Sequence, residues 1–199
     1  MRGLRFFQYV IVACFVGFIS WGMVAKATEP LELGGAEQVI AVQPYIEDEK
    51  LYINADIDFE LSDELRQMAL KGVPLHFTVD VEITRARWWW FDKTEIKESQ
   101  TWRVVYNALT RQWRVGAGDL LKPESSLKEA LYPMHHIRHW PVAYAIDLDA
   151  GTEYQGRLRL RLDTSLLIRP LQVDAMNGRA WSLITPWKNF NFSVDALQP

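Results

Sequence analysis

The segment Met134-His135-His136-Ile137-Arg138-His139-Trp140 contains three of the four histidines in the chain and is the stretch best suited to metal chemistry. His135 and His139 stand four residues apart, and His136 and His139 three apart, so on a helix either pair shares one face and one ion. The pattern is incomplete. No glutamate forms an H-E-x-x-H motif, and Pro133 interrupts the helix. A catalytic zinc also takes a third protein ligand, for which His76 is the only histidine left. Polar loop histidines produce the same spacing. His135, His136 and His139 therefore stand as candidate ligands beside that plainer reading, and no cofactor is expected.

Charge is the second source of chemistry. Asp56, Asp58 and Glu60 line one side of an alternating stretch, Asp80 and Glu82 line another, and Arg157, Arg159 and Arg161 form a stripe of opposite sign. The carboxylates suit a cation site or, as a pair, glycoside hydrolysis. The three arginines suit an anion-binding ladder for a lipid headgroup or a peptide carboxylate. Strand alternation yields such stripes without any function, as cross-strand pairs worth roughly 0.2–1 kcal/mol each.

Aromatic residues are the third source. In Arg85-Ala86-Arg87-Trp88-Trp89-Trp90-Phe91, the apolar parity set by Leu75, Phe77, Val79, Val81 and Ile83 reverses. A reversal of buried face requires an irregularity, so a β-bulge is expected near Thr84–Ala86, with Trp88 and Trp90 turned inward. Trp89 and Phe91 then share a face with Arg85 and Arg87. Those four residues form a candidate interaction patch for a partner or a membrane interface. Burying a tryptophan removes roughly 150–250 Å² from water, so Trp102, Trp113, Trp140, Trp181 and Trp187 are expected to pack in the core. No nucleophile elbow, phosphate loop or dinucleotide fingerprint occurs. Nothing in the order of Ser, His and Asp selects a triad. A non-catalytic protein is expected.

The elements that must carry these residues are mostly strands. Leu51, Ile53, Ala55, Ile57, Phe59 and Leu61 alternate with polar residues, as do Leu158, Leu160 and Leu162, and Phe190, Phe192 and Val194. Each reads as a half-buried antiparallel strand. Further strands are expected at 37–43, 75–91, 94–106, 111–116, 141–148 and 170–175. Two short helices interrupt them, one starting at Ser62 and ending at Gly72. The other has Ser126 and Glu129 at capping-box spacing and meets Pro133, which should stop or kink it. About nine strands make a mainly β domain, an antiparallel β-sandwich or an open barrel.

The ends of the chain locate it. Arg2 and Arg5 precede an apolar run from Phe6 to Ala25, and Ala25-Lys26-Ala27 fits cleavage before Thr28. The run also approaches the length of a membrane-spanning helix. Residues 1–27 are thus a signal peptide or an uncleaved anchor carried by residues 6–25, and 28–199 form one exported, periplasmic domain. Ile11-Val12-Ala13-Cys14 resembles a lipid-attachment box, but apolar residues follow where a polar tether is expected. Cys14 is the only cysteine, so the exported part has no disulfide and no thiol nucleophile. The chain carries 22 Lys+Arg against 25 Asp+Glu. Loss of Arg2, Arg5 and Lys26 makes the domain more acidic, which disfavours nucleic acid.

The motifs "KGVPLHFTVDVEITRARWWWFDK", "YNALTRQWRV", "SLKEAL" and "YQGRLRLRLDTSLLIRPLQV", with a late tryptophan, resemble in that order the proteobacterial domain-of-unknown-function family numbered 4390. The resemblance runs from about Val39 to Phe192. It implies an exported or membrane-anchored envelope protein whose gene sits beside those of a membrane sensor kinase and a ribosomal RNA methyltransferase. It supplies no catalytic residues. The expected function is protein interaction near the inner membrane, with modulation of a sensor kinase as the specific form. The alternative is a periplasmic carrier of a small ligand or metal.

Overall fold

Period-two alternation is satisfied by pairing strands around one apolar interior. A computed structural model of the chain describes residues 37–85, 93–172 and 181–197. Strands β1 (Gln38–Glu47) and β2 (Lys50–Asp58) form a hairpin through Asp48 and Glu49, whose φ angles are 45° and 61°. Left-handed backbone at both turn positions is the type I′ geometry that matches strand twist. After Phe59–Leu61, helix α1 (Asp63–Leu70) starts where the Ser62 hydroxyl accepts from the Leu65 N–H. The chain leaves this helix through Gly72, at φ 88°.

Strands β3 (Leu75–Arg85), β4 (Lys93–Asn107), β5 (Gln112–Ala117) and β6 (Lys122–Glu124) follow as a meander. Next come α2 (Leu127–His135), β7 (His136–Tyr144), β8 (Glu153–Leu162), β9 (Lys188–Ser193) and the short helix α3 (Val194–Leu197). All pairings are antiparallel, in a three-stranded sheet β1-β2-β7 and a six-stranded sheet β6-β5-β4-β3-β8-β9. Leu51 and Ile53 of the small sheet join Phe77, Val79, Leu158 and Leu160 of the large one in a single buried cluster. Two sheets sharing one core make a sandwich, and neither closes into a barrel. Gly156 on β8 faces Phe190 on β9; a Cβ there would lie 2.2 Å from the ring, so the missing side chain is what lets the phenylalanine lie across the ladder.

Several expectations are corrected. The strand placed at 141–148 begins at His136 and gives way to a 3-10 turn at Ala145–Asp147. The histidine segment is therefore half helix and half strand. Pro133 lies inside α2, which continues to His135; so near the helix end the proline removes one intrahelical bond and little follows from it. The capping box is formed in full by Ser126 and Glu129. Of the strand expected at 170–175, Arg169–Gln172 is a helical turn, with Leu171 and Gln172 N–H groups donating to the Ile168 carbonyl. Pro170 is tolerated there because a first helical turn has no use for its N–H. Strand β6 was not expected, since Lys-Pro-Glu has no apolar alternation.

An irregularity is present at Ile83/Thr84, beside the expected Thr84–Ala86 position, and Ala86 lies outside the described residues. Ile83 pairs with Ile96 and Thr84 with Thr94, so the extra residue, Glu95, belongs to β4. Strand β3 keeps unbroken register with β8 through Arg85. A residue inserted in β3 would disturb ladders on both sides, whereas among the described residues β4 has a single neighbour at that point. The placement of Trp88 and Trp90 lies outside the described residues. So does the apolar run at residues 6–25; among the described residues no helix is long and apolar enough to cross a membrane.

Candidate functional site

The odd-numbered residues of β3 from Leu75 to Ile83 fill the core, so His76, Thr78, Asp80, Glu82 and Thr84 face outward. Strand β8 runs beside them in register: Arg161 opposite Thr78, Arg159 opposite Asp80 and Arg157 opposite Glu82. On the other side, β4 sets Thr101, Ser99 and Lys97 against the same three residues. The arginine stripe and the Asp80–Glu82 stripe of the sequence thus lie side by side on one sheet face.

Their side chains form one network. Arg159 Nε and Arg161 Nε donate to Asp80 Oδ2 at 3.1 and 3.0 Å, and Ser99 Oγ donates to its Oδ1 at 2.9 Å. Arg161 Nη1 also reaches Asp163 Oδ2 at 3.0 Å. Arg157 Nε donates to Glu82 Oε2 at 2.9 Å, and Lys97 Nζ lies 3.2 Å from Oε1. Thr78 and Thr101 share a hydroxyl bond of 2.8 Å. Trp187 lies against this face with its ring centroid 4.6 Å from the Arg157 guanidinium and 4.3 Å from that of Arg159. Such cation–π stacking fixes both arginines and carries the Arg–carboxylate geometry further from solvent. Trp187 is consequently half-buried on the outside, not in the core, whereas Trp102, Trp113, Trp140 and Trp181 are core residues as expected.

The electrostatics follow from these contacts. Asp80 is 8% exposed. Burial pushes its carboxyl up, but hydrogen bonds from Arg161, Ser99 and Arg159 outweigh it and leave the group below the ordinary carboxylate value. The Arg157 hydrogen bond, followed by that of Lys97, lowers Glu82 against a smaller desolvation cost. Asp163 is desolvated yet ends low through Ser165 and Arg161. Burial lowers His76, aided by the nearby Arg103 charge and opposed by Asp163. Among the described residues its buried Nδ1 has no hydrogen-bond partner.

These directions fix a pH response. His76 and the carboxylates all bind protons more weakly folded than unfolded, so each stabilises the fold above its unfolded value and less so as pH falls through its folded value. The thermal midpoint is expected to decline below pH 6.5 as unfolded His76 takes up protons, then more steeply below the ordinary carboxylate range. His76→Gln should flatten the first portion alone. Melting curves from pH 7 to 3 with a level midpoint would contradict the network.

The histidines go elsewhere, each to its own partner. His135 ends α2, bonds through Nδ1 to the Ile57 carbonyl at 2.8 Å and stacks on Phe59. His136 Nδ1 lies 2.9 Å from Asp56 Oδ1, which also accepts from Arg138; those two bonds hold Asp56 below its ordinary value. His139 sits at φ 52° in a β7 irregularity, where it stacks on Tyr52 at 4.0 Å and its Nδ1 meets the Tyr45 hydroxyl at 2.7 Å. Among the described residues no three ligating side chains converge. The remaining acids of the first stripe, Asp58 and Glu60, border a 520 Å³ cavity walled by Phe59, Leu127 and Leu131.

Of the aromatic patch, Arg85 is described, while Arg87, Trp89 and Phe91 lie outside the described residues. Arg85 pairs with Tyr154 in register and forms an ion pair with Asp149 at the rim of the core. Near Arg157 and Glu82 a cleft of 490 Å³ continues the charged face, lined by Thr84, Gln155, Asn189 and Asn191. Sequence reasoning did not single out Ser99, Lys97 or Asp163, and it assigned Trp187 to the core. Asp163 continues the stripe two residues beyond Arg161, which it contacts, whereas Ser99, Lys97 and Trp187 stand in no stripe with their partners and only the strand order assembles them.

No curated protein and no solved structure matches this chain. The model of one family does, over residues 37–191, which spans the described body from the residue before β1 into β9. On that match the chain belongs to the DUF4390 family, a domain of unknown function.

Proposed function

We propose that this chain is an exported interaction module of the cell envelope, held at or near the inner membrane by residues 6–25 or released after Ala27, and that it acts by contact with a membrane sensor protein. The observation that carries the reading is the outer face of the six-stranded sheet. Its arginines, acids and tryptophan are fixed before any partner arrives, so little side-chain freedom is lost on docking, and the alternation of sign selects a complementary surface. Among its arginines, Arg157, whose side chain is 49% exposed, is the one most available to a partner. The carboxylates of this face are held low and ionised, the reverse of what proton transfer near neutral pH asks of an acid.

A photoreactive residue at Asn189, in the cleft beside Arg157, tests it in intact cells. The expected result is one discrete adduct with an integral membrane protein bearing a kinase domain, lost on Arg157→Glu. Leu109, 96% exposed on the β4–β5 turn, is the control position. Labelling at Asn189 no stronger than at Leu109 would sink the proposal. The amino-terminal residue of the protein from its own membranes separates the two forms: Thr28 means a released domain, Met1 a tethered one.

A further inference from the structure

Among the described residues, strand β4 is paired on one side only over most of its length. β3 pairs with it from Lys93 to Val104, but β5 pairs only with Trp102–Asn107. The chain cannot follow β4 further, because it turns away at the end of β5. A Cβ on Gly116 would lie 2.0 Å from the Leu120 carbonyl oxygen, and Gly118 takes a φ of 77°. Among the described residues, nothing pairs with the other edge of Lys93–Thr101. Alternate residues of an antiparallel strand turn their N–H and C=O groups to each side. This edge therefore presents a row of donors and acceptors that another extended backbone satisfies in series.

The strands that end the two sheets are mostly blunted. Pro44 stands in β1, Pro123 in β6 and Pro141 in β7, and a missing N–H discourages strand addition. No proline occurs in β4. Its open edge forms one wall of a 660 Å³ groove whose other wall is Pro141–Tyr144 of β7. Glu98 shares the core-facing side of β4 with Ile96, yet it is exposed in this groove and has no ion-pair partner among the described residues. Lys97 points the other way, to Glu82, and Lys50 lies over the Tyr144 ring.

We propose that this groove binds an extended segment of another protein, added to β4 along Ile96–Thr101 as a further strand. Its lysine or arginine side chain turns in to Glu98, and its aliphatic side chains pack on Ile96 and Val142. With β7 as the facing wall and β5 closing the end at Trp102, the slot receives one strand and not the edge of a second sandwich. The site stands on the backbone of β4 and not on the charged face, so either surface can fail its test without the other.

The probe is a random twelve-residue peptide library displayed on phage, selected on the full chain in detergent micelles. Synthetic copies of enriched peptides are expected to carry a basic residue among β-branched or aliphatic ones. They should slow exchange of the outward-facing amides between Ile96 and Thr101, and should stop binding when alternate peptide nitrogens are methylated. They should bind Glu98→Lys protein roughly tenfold more weakly, the scale of one lost charge-assisted bond. The Glu98 side chain is exposed, so that variant keeps the fold, as its melting curve will show. No enrichment, or peptides that leave those amides unchanged or tolerate methylation, overturns the proposal. Slow exchange in the peptide-free monomer would mean that the chain covers its own edge, and slow exchange only in a dimer would mean a second copy. Either result also overturns it.

Discussion

Phe77→Ala is expected to destabilise the domain by about 3–5 kcal/mol, the usual range for emptying a phenylalanine site in a packed core. Phe77 is fully buried at the centre of the large sheet, and its ring lies 5.7 Å from that of Phe59, in the extended segment that leaves the small sheet. The pair is one of the places where the two halves of the sandwich touch. Urea denaturation of Phe59→Ala, Phe77→Ala and the double variant should give a coupling of roughly 0.5–1.5 kcal/mol beyond the areas lost. Strictly additive losses would mean that the two sheets do not share a core at this point.

The second large effect lies on the opposite face of the same strand. Asp80→Ala removes the one carboxylate that Arg159 and Arg161 share, on side chains 29% and 30% exposed. Breaking a buried pair from one side costs about 3–5 kcal/mol, because the partner charge is left desolvated. Here the guanidinium groups reach water at their edges, so a loss of about 2–3 kcal/mol is expected. Asp80→Asn, which keeps an acceptor for Ser99, should lose less. Adding Arg161→Leu to Asp80→Ala should restore part of the loss, since the stranded charge goes with it. An Asp80→Ala variant within about 0.5 kcal/mol of the parent would reduce the network to ordinary surface decoration.

Both predictions concern β3, and the contrast between its faces shows what was legible beforehand. Leu75 to Ile83 on the odd positions announced a buried face because a pleated strand leaves no other place for five successive apolar side chains. Alternation of the same kind identified β2, β8 and β9, and cap chemistry identified both ends of α1 and the start of α2. These are local signals, settled within a few residues. Reading failed where a local signal was weak or was overruled by neighbours. Lys-Pro-Glu became β6 because β5 offered it an edge. The irregularity expected near Thr84 takes its extra residue from β4, which among the described residues has β3 as its one neighbour there, whereas β3 is paired on both sides.

The candidate sites divide in the same way. The stripes Asp80–Glu82 and Arg157–Arg161 are visible in the sequence as charges of opposite sign, but they are some 75–81 residues apart, and no periodicity reveals that β3 and β8 are neighbours. Strand order is a property of the whole core: β8 lies beside β3 because the inner faces must be filled and the ladders completed together. The histidines illustrate the converse. Their spacing suggested one helical face, yet the backbone changes from helix to strand between His135 and His136 and sends three rings to Ile57, Asp56 and Tyr45. The sequence by itself determined which side chains face inward along each strand, since that depends only on the pleat. The tertiary structure alone decided which outward-facing groups meet and which strand edge is left unpaired among the described residues, because pairing between distant strands is fixed by a shared interior.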